Sequence, residues 1–318
     1  MKKKDKEIEI LHPKNQLKLF GYKDYFKTFV DLYNKNKLPN SILLSGSKGL
    51  GKATFIYHFI NYLLSINEEN SYSINDYIIN ENNLSYKLLN SNSHPNFFLV
   101  DNLDNDKQIK IEQIKNLLKF INKTTLAKDL KLILIDNAEN LNLNSSNALL
   151  KTLEEPNFNT FFFIIHNQNK ILDTIKSRTV EFKISFSSEN KKNIFKKISL
   201  PYGKNVSSDF YDNISDTPGN IIKILLKLNK EFNNNSIDDI LILIDIYEKD
   251  KNPELLNFIS LYIEKFYNDL CMNSGENFNS YYFNFNKILK RINEMKKYNL
   301  SEKNTLVYVR NILKNETK

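Results

Sequence analysis

A glycine-bearing turn, placed between a short apolar strand and an amphipathic helix, constrains the fold of this chain more than any other feature. The turn is Gly46-Ser47-Lys48-Gly49-Leu50-Gly51-Lys52, which has the glycine-to-lysine spacing of a phosphate-binding loop. It follows the predicted strand Ser41–Ser45 and opens a helix predicted over residues 52–64. The glycines let successive backbone N–H groups face an anion, and the lysine reaches its phosphates. The sequence therefore predicts a phosphate loop.

Short apolar strands alternate with amphipathic helices up to about Phe186. The predicted strands are Ser41–Ser45, Phe97–Val100, Leu130–Ile135 and Thr160–Ile165. Strands that are apolar on both faces and separated by helices are typical of a parallel sheet covered on both sides. After Phe186 only helical patterns follow, which predicts an α/β domain over residues 1–186, a small helical domain over 187–235 and an all-α domain over 236–318.

The residue after the loop lysine departs from that of an ATP-hydrolysing protein. A working phosphate loop has Ser or Thr at this position, because the hydroxyl holds Mg²⁺. Here the residue is Ala53, and the hydroxyl comes one residue later, at Thr54. One step along a helix turns a side chain by about 100°. We therefore expect Thr54 not to reach the same metal position.

A second departure follows the third predicted strand. Leu132-Ile133-Leu134-Ile135-Asp136 is an apolar strand ending in an acid, the Walker B pattern, and Asp136 could hold Mg²⁺ through water. The next residue should be a glutamate that activates water, but it is Asn137, whose amide cannot take a proton. Glu139 lies two residues further on and is a poor substitute. The sequence predicts nucleotide binding without turnover and no protein-held metal; the predicted nucleotide-binding residues are Gly46, Gly49, Gly51, Lys52, Ala53, Thr54 and Asp136.

Arg178 is notable because this chain otherwise uses lysine for its cations. It is one of three arginines beside 42 lysines, and it lies in Ser177-Arg178-Thr179, after the fourth predicted strand and a short helix. An arginine finger needs a planar, permanently charged group that binds phosphate oxygens through two donors, which lysine cannot reproduce. We predict that Arg178 is such a finger, with Ser177 beside it; the alternative is a surface arginine without this role.

The net charge of +8 is weak support for nucleic-acid binding. The chain has 42 Lys, 49 Asn and only 4 Ala, which is how an AT-rich genome encodes any protein. A basic surface still attracts phosphate backbones through a salt-dependent term that involves no sequence recognition.

The single cysteine, Cys271, excludes an internal disulfide framework and a multi-cysteine metal cage. No apolar run approaches the roughly 18 residues of a membrane helix. The basic start of the chain is not followed by the apolar segment of a secretory signal. These features predict a cytoplasmic protein with no membrane partner.

Five segments, in their order and spacing, resemble the clamp-loader AAA+ subunits of bacterial DNA polymerase III, and most of all the delta-prime subunit. The segments are Gly46–Thr54, His94–Asn96, Leu132–Glu139, Asn147–Pro156 and Ser177–Arg178. The most specific is Asn147–Pro156. The resemblance covers residues 15–186, and in the helical remainder Thr217-Pro218-Gly219 resembles the turn of the family's lid domain.

The resemblance implies an AAA+ P-loop domain over residues 1–186, a helical lid over 187–235 and a collar over 236–318 that assembles into a five-subunit ring. Such a ring opens the sliding clamp and closes it on primed DNA. The implied partners are gamma/tau-like motor subunits, a delta-like subunit, the clamp and primed DNA. Delta-prime is the stator of the ring, and its Ser-Arg motif, here Ser177 and Arg178, reaches a neighbour's ATP site.

The chain also departs from the family. Many members carry a four-cysteine zinc module where Ser65–Ser93 lies, and this stretch has no cysteine, so we predict no zinc. ATP-using relatives have a lid arginine where this chain has Asn220. The polar sensor at the end of the fourth strand falls at His166 or Asn167, and we assign no catalytic role to His166.

Two alternatives are weaker. An ATP-hydrolysing motor subunit of the same loader would need Ser or Thr after Lys52 and Glu after Asp136. A small-molecule or nucleotide kinase shares the phosphate loop, but it usually has an arginine-rich lid. Only three arginines are present, Arg178, Arg291 and Arg310.

Overall fold

The computed structural model describes residues 11–102, 108–123, 130–157, 159–167, 171–200, 216–228, 237–251, 253–273 and 278–316. The chain divides into two compact units, Met1–Ile194 and Phe195–Lys318. The first unit contains a parallel β-sheet covered by helices, and the described residues of the second form helices.

The sheet has five parallel strands in the order β2-β3-β4-β1-β5. Their bounds are β1 Ser41–Ser45, β2 Phe97–Val100, β3 Lys131–Ile135, β4 Thr160–His166 and β5 Val180–Lys183. The parallel sheet and its first four strands confirm the prediction. Because the strands are parallel, their carboxyl ends meet at one edge of the sheet, which is where α/β proteins place their ligand sites.

Strand β5 is missing from the sequence prediction. It pairs only with β1, at the edge of the sheet. Its sequence alternates apolar residues with Glu181 and Lys183, and Val180 is 48% exposed. The sequence prediction rests on near-continuous apolar runs, and β5 has none. Its four-residue alternation is the pattern of a half-exposed strand, and the prediction missed it.

The helices up to residue 199 follow the periodic segments of the sequence, which predict helices over 17–40, 52–64, 109–122, 144–153, 172–176 and 187–199. They are α1 Lys23–Asn34, α2 Lys52–Ser65, α3 Leu84–Asn90, α4 Ile111–Asn122, α5 Leu143–Glu154, α6 Asp173–Lys176 and α7 Ser188–Ser199. The clearest difference is at the start, where the apolar stripe over residues 17–40 predicts a longer helix than α1. Gly21 has a φ of +80°, outside the helical region, and Leu19 N–H instead donates to Tyr77 O at 3.0 Å.

Apolar side chains cover both faces of the sheet. On one face α1 and α2 pack through aromatic rings, with the Phe29 and Phe55 centroids 5.0 Å apart. On the other face Ile114 and Leu117 of α4 pack beside Leu149 of α5. Burial of each such side chain stabilises the fold by about 1.5–3 kcal/mol. This packing fixes the sheet edge that carries the loop.

Residues 65–93 are held by side-chain amides and one carboxylate. Asn83 Nδ2 donates to Asn70 O at 2.8 Å, and Asn83 Oδ1 caps the start of α3. The Glu68 carboxylate accepts the backbone N–H of Ser85 at 3.1 Å. The Asn- and Ser-rich sequence of this segment predicts a surface excursion with at most one helix, and the structure contains one, α3.

The helices of the second unit lie where the sequence periodicity predicts them. They are α8 Pro218–Leu228, α9 Ile237–Asp250, α10 Pro253–Asn273, α11 Phe278–Tyr298 and α12 Glu302–Asn315. The predicted segments are 207–234, with a break at 217–219, and 237–249, 253–270, 281–297 and 305–313. Residues 201–215 and 229–236 of the predicted lid lie outside the described residues. The predicted boundaries at residues 186 and 235 stay predictions. Among the helices described, none has the length and apolar character needed to cross a bilayer.

Candidate functional site

The phosphate loop starts directly after β1 and ends at the first residue of α2, as predicted. Gly46, Gly49 and Gly51 all have positive φ values, of 150°, 82° and 87°. A Cβ atom at Gly46 would lie 2.6 Å from Ile184 O, so this position also needs glycine for space. The loop is therefore a backbone turn that only this glycine pattern accommodates without strain.

Lys52 points into the loop that precedes it. Its Nζ donates to Gly46 O at 2.7 Å, to Ser47 O at 2.9 Å and to Asn167 Oδ1 at 3.0 Å. Lys52 is only 3% exposed. An ammonium group has three N–H donors, so these three oxygens use all of them.

Ala53 and Thr54 occupy the next two positions of α2. Ala53 packs against the hydrophobic core on the α1–α2 face, and Thr54 is half-buried. The structure therefore brings Lys52 to the sheet edge but puts no hydroxyl at position 53.

Polar residues follow three neighbouring strands and meet at the carboxyl edge of the sheet. Asp101 follows β2, Asp136 follows β3 and Asn167 follows β4. The Asn137 side chain joins two of these ends, because its Nδ2 donates to Asp101 Oδ1 at 2.8 Å and its Oδ1 accepts from Asn167 Nδ2 at 3.0 Å. The residue in the place of the expected glutamate is thus a bridge between strand ends.

Asn137 also has an unusual backbone. Its φ is 52° and its ψ is 45°, the left-handed region that asparagine tolerates better than most residues. Its backbone N–H donates to Asp136 Oδ1 at 2.8 Å.

Asn167 is the centre of the network, and the sequence prediction named it only as one of two sensor positions. Its Oδ1 accepts from Lys52, while its Nδ2 donates to Asn137 Oδ1 and to Glu139 Oε1, the latter at 2.9 Å. Its backbone N–H also faces Glu139 Oε2 at 3.3 Å. Asp101 was not predicted, although its position directly after an apolar strand is the signal that identifies Asp136.

Burial changes the acid–base behaviour of the charged groups in this network. It lowers the pKa of the Lys52 ammonium to about 8, although the Asp136 and Glu139 carboxylates act in the opposite direction. Burial also raises the pKa of Asp136 to about 7, and the charge of Asp101 adds to that increase. Near neutral pH, Asp136 is therefore partly protonated, whereas an ordinary aspartate is ionised.

One buried hydroxyl faces the same charges. Tyr57 lies on α2, is 4% exposed and has no hydrogen-bond partner for its hydroxyl among the residues described. Burial raises the pKa of this phenol, and the charges of Asp136 and Asp101 raise it further. The sequence prediction did not identify Tyr57 as part of this site.

Arg178 lies on a different part of the first unit, directly after α6 and before β5. Its Nε donates to Glu154 Oε1 at 2.6 Å, and Nη2 pairs with the same oxygen. Its Nη1 donates to Thr174 O at 3.1 Å and to Ser177 Oγ at 3.2 Å. The Arg178 side chain is 28% exposed, so its guanidinium is paired within the chain and still reaches solvent.

The loop geometry fits a phosphate group, because positive-φ glycines precede a helix N-terminus and a lysine stands at its first residue. The fit does not extend to hydrolysis, since position 53 has no hydroxyl and position 137 has no carboxylate. No group of three or more His, Cys, Asp or Glu side chains suited to a metal occurs within the described ranges.

A parallel α/β sheet with a phosphate loop after β1, an acid after β3 and a helical C-terminal part defines a P-loop protein of the AAA+ class. Within this class the chain belongs to the family described as "DNA polymerase III, delta subunit", whose profile matches residues 21–188. The resemblance predicted from the sequence is thereby confirmed.

Individual relatives agree with the family match. The DNA polymerase III subunit delta' of Pseudomonas aeruginosa is 32% identical over 143 residues, 45% of this chain and 42% of that protein. The delta' subunit of Bacillus subtilis is 34% identical over 153 residues, 46% of this chain and 43% of that protein. A gamma subunit of Buchnera aphidicola is 28% identical over 68% of this chain and 58% of that protein. The matches thus span about half the length of these relatives.

Among solved structures, a DNA polymerase III gamma subunit-related protein of Thermotoga maritima is 15% identical and covers 92% of this chain and 99% of that one, with a TM-score of 0.46.

Proposed function

We propose that this chain is a delta-prime-like subunit of the DNA polymerase III clamp loader. In this role it is a stator: it does not hydrolyse ATP itself, and it completes the ATP site of a neighbouring subunit with Arg178. The observation that carries the proposal is the Asn137 bridge, because it puts an amide where hydrolysis needs a base. Family membership supports the rest of the proposal.

The lack of turnover follows from chemistry. The Asn137 amide cannot accept a proton from water, and both ends of this amide are bound, to Asp101 and Asn167. Glu139 binds Asn167 through its carboxylate, which keeps this acid from serving as a free base. A nucleotide held by the glycines of the loop and Lys52 would therefore have a structural role in this chain.

The role of Arg178 is supported by its position and its chemistry. It lies at the end of a short helix on the surface, whereas Lys52 is buried. A guanidinium retains its charge at all physiological pH values and can bind two phosphate oxygens at once. We propose that Arg178 acts as a finger in trans, with Ser177 fixing the position of its Nη1 group.

One observation favours a second candidate, the ATP-hydrolysing gamma/tau-like motor. The matched segment of the Buchnera aphidicola gamma subunit covers 220 residues, against 143, 153 and 192 in three delta' subunits. The motor function needs a base near the nucleotide, and Glu139 is the nearest carboxylate in sequence after Asp136. Its hydrogen bonds to Asn167 argue against this candidate.

The proposal includes the partners of such a stator. They are gamma/tau-like motor subunits, a delta-like subunit, the sliding clamp and primed DNA, all in the cytoplasm. The proposed cofactor is ATP, which the chain binds without hydrolysis. The proposal includes no zinc.

A rescue assay tests the proposal. The loader is assembled from its other subunits, and this chain is added as wild type, Arg178→Ala or Arg178→Lys, with Arg291→Lys as the matched control. ATP turnover stimulated by DNA and clamp is recorded, together with turnover by the chain alone. Loss of an arginine finger typically reduces turnover by about 10³-fold or more.

We expect wild type and Arg291→Lys to restore turnover, both Arg178 variants to fail and the chain alone to be inert. Turnover by the chain alone would establish the motor function instead. Equal rescue by all four proteins would show that Arg178 is a surface residue without a role in the neighbouring site.

A further inference from the structure

Glu154 holds the guanidinium of Arg178 against its own subunit. We infer that Glu154 is the in-chain counter-ion that a neighbour's phosphate has to displace, so that it sets how readily Arg178 engages a neighbouring nucleotide. The inference rests on the proposed function of Arg178. It gives Glu154, the last residue of the Asn147–Glu154 part of α5, a role as a positioning residue.

The in-chain contacts of Arg178 involve all three nitrogens of its guanidinium. A guanidinium has five N–H donors. Nε donates to Glu154 Oε1, and both N–H groups of Nη1 are used by Thr174 O and Ser177 Oγ. Nη2 contacts Glu154 Oε1 as an ion pair.

Binding of a phosphate in the two-pronged manner needs two parallel N–H donors. Each such pair of donors includes an N–H of Nε or of Nη1, and all of these have in-chain acceptors. At least one in-chain contact therefore has to break before Arg178 can bind a phosphate in this way. The contact with Glu154 is the one between opposite charges, and it occupies the Nε–Nη2 edge of the guanidinium. A phosphate at this edge and the Glu154 carboxylate therefore compete for the same donors.

Replacement of the Glu154 carboxylate by a phosphate at Arg178 requires little free energy, because both side chains are partly exposed. The Glu154 side chain is 49% exposed and that of Arg178 is 28% exposed, so water solvates both groups when they separate. Ion pairs at such sites contribute little to stability. The competition is therefore expected to change the apparent affinity by a small factor, about two- to fivefold.

The next residue supplies a matched control. Glu155 is also exposed, and it directly follows Glu154, the last residue of α5. Among the described residues the Arg178 guanidinium bonds to Glu154 and not to Glu155. Glu154→Gln and Glu155→Gln change the net charge equally. A difference between these two variants therefore reports the contact of Glu154 with Arg178.

Hydrogen exchange of the Arg178 side chain tests the contact in the isolated chain. With ¹⁵N-labelled arginine the protein has only three Nε–H groups, and each is assigned through its Arg→Lys variant. We expect exchange of Arg178 Nε–H to be at least threefold faster in Glu154→Gln than in wild type and unchanged in Glu155→Gln. Equal exchange in all three proteins would refute the inference whatever Arg178 does in the loader.

ATP titration of the assembled loader tests the competition. In Glu154→Gln we expect the apparent KM for ATP to fall about two- to fivefold, with kcat within a factor of two of wild type. A KM equal to that of Glu155→Gln would overturn the competition, and so would a kcat as low as that of Arg178→Ala, because Glu154 would then orient the guanidinium for catalysis. If Arg178→Ala itself left turnover unchanged, the proposed function would fail, and with it the role of Glu154 in the loader.

Discussion

Lys52 and Arg178 are both cations suited to phosphate, and the first unit places them in opposite settings. Lys52 is 3% exposed and gives all its donors to oxygens of the same chain at the sheet edge. The Arg178 side chain is 28% exposed and is paired with a carboxylate in contact with solvent. One of these two cations is thus committed to bonds within the chain, whereas the other is paired at a site that solvent reaches.

The largest effect on stability is expected at Lys52. In Lys52→Met the oxygens of Gly46, Ser47 and Asn167 lose their donor, and the buried Asp136 loses the positive charge that lowers its pKa. We expect the free energy of unfolding to fall by about 3 kcal/mol. Urea unfolding followed by circular dichroism measures this change, with the exposed Lys48→Met as control. A loss below about 1 kcal/mol would show that the hydrogen bonds of Lys52 contribute little to the stability of the first unit.

A smaller effect, of opposite sign, is expected at Asp136. Its carboxyl loses a proton near pH 4 in the unfolded chain and near pH 7 in the folded one, so wild-type stability falls as pH rises between these values. Asp136→Asn removes this penalty, and we expect a gain of about 2 kcal/mol at pH 8 that shrinks towards pH 5.

Urea unfolding at pH 5, 6, 7 and 8 measures the gain, with the exposed Asp31→Asn as the control. A gain that does not depend on pH would mean that the carboxyl is not held protonated by burial.

Loss of the central amide is expected to cost less than loss of Lys52. Asn167→Ala removes the bonds to Lys52, Asn137 and Glu139, and we expect a loss of about 1–2 kcal/mol. The exposed Asn157→Ala is the control in the same unfolding assay. Equal stability of the two variants would contradict a network centred on Asn167.

The smallest effect on stability is expected at the surface pair. Arg178→Ala and Glu154→Ala should each change the free energy of unfolding by less than about 0.5 kcal/mol, because both side chains reach solvent. A loss above about 1.5 kcal/mol in either variant would mean that the pair is structural, and the contrast with Lys52 would disappear.

The sequence predicts most of the fold because its strands and helices carry strong local signals. Strand β1 was predicted with its observed bounds, and α2 and α4 begin or end within two residues of the predicted segments. The missed element, β5, pairs with β1 at an edge of the sheet. Its signal is a four-residue alternation of apolar and charged residues, not the apolar run that identifies the other strands. The helix predicted over residues 17–40 is too long because an apolar stripe does not show where Gly21 changes the backbone.

The candidate site is harder to predict because its key bonds join residues far apart in the sequence. The spacing of the loop identifies Lys52, and the apolar strand before it identifies Asp136. Their contact with Asn167 depends on which strands are neighbours, and strand order is not a local property of the chain. The pairing of Glu154 with Arg178 depends in the same way on the packing of α5 beside α6.

The left-handed backbone of Asn137 limits what a single substitution at this position can achieve. Asparagine accepts a φ of 52° at little cost, whereas glutamate, the residue of an active hydrolase, is strained there by about 1 kcal/mol or more. Asn137→Glu would also break the bonds that join Asp101 and Asn167. On the proposed function, the addition of this one carboxylate therefore does not make the chain an ATP-hydrolysing protein, because the strand ends around it would have to be rebuilt as well.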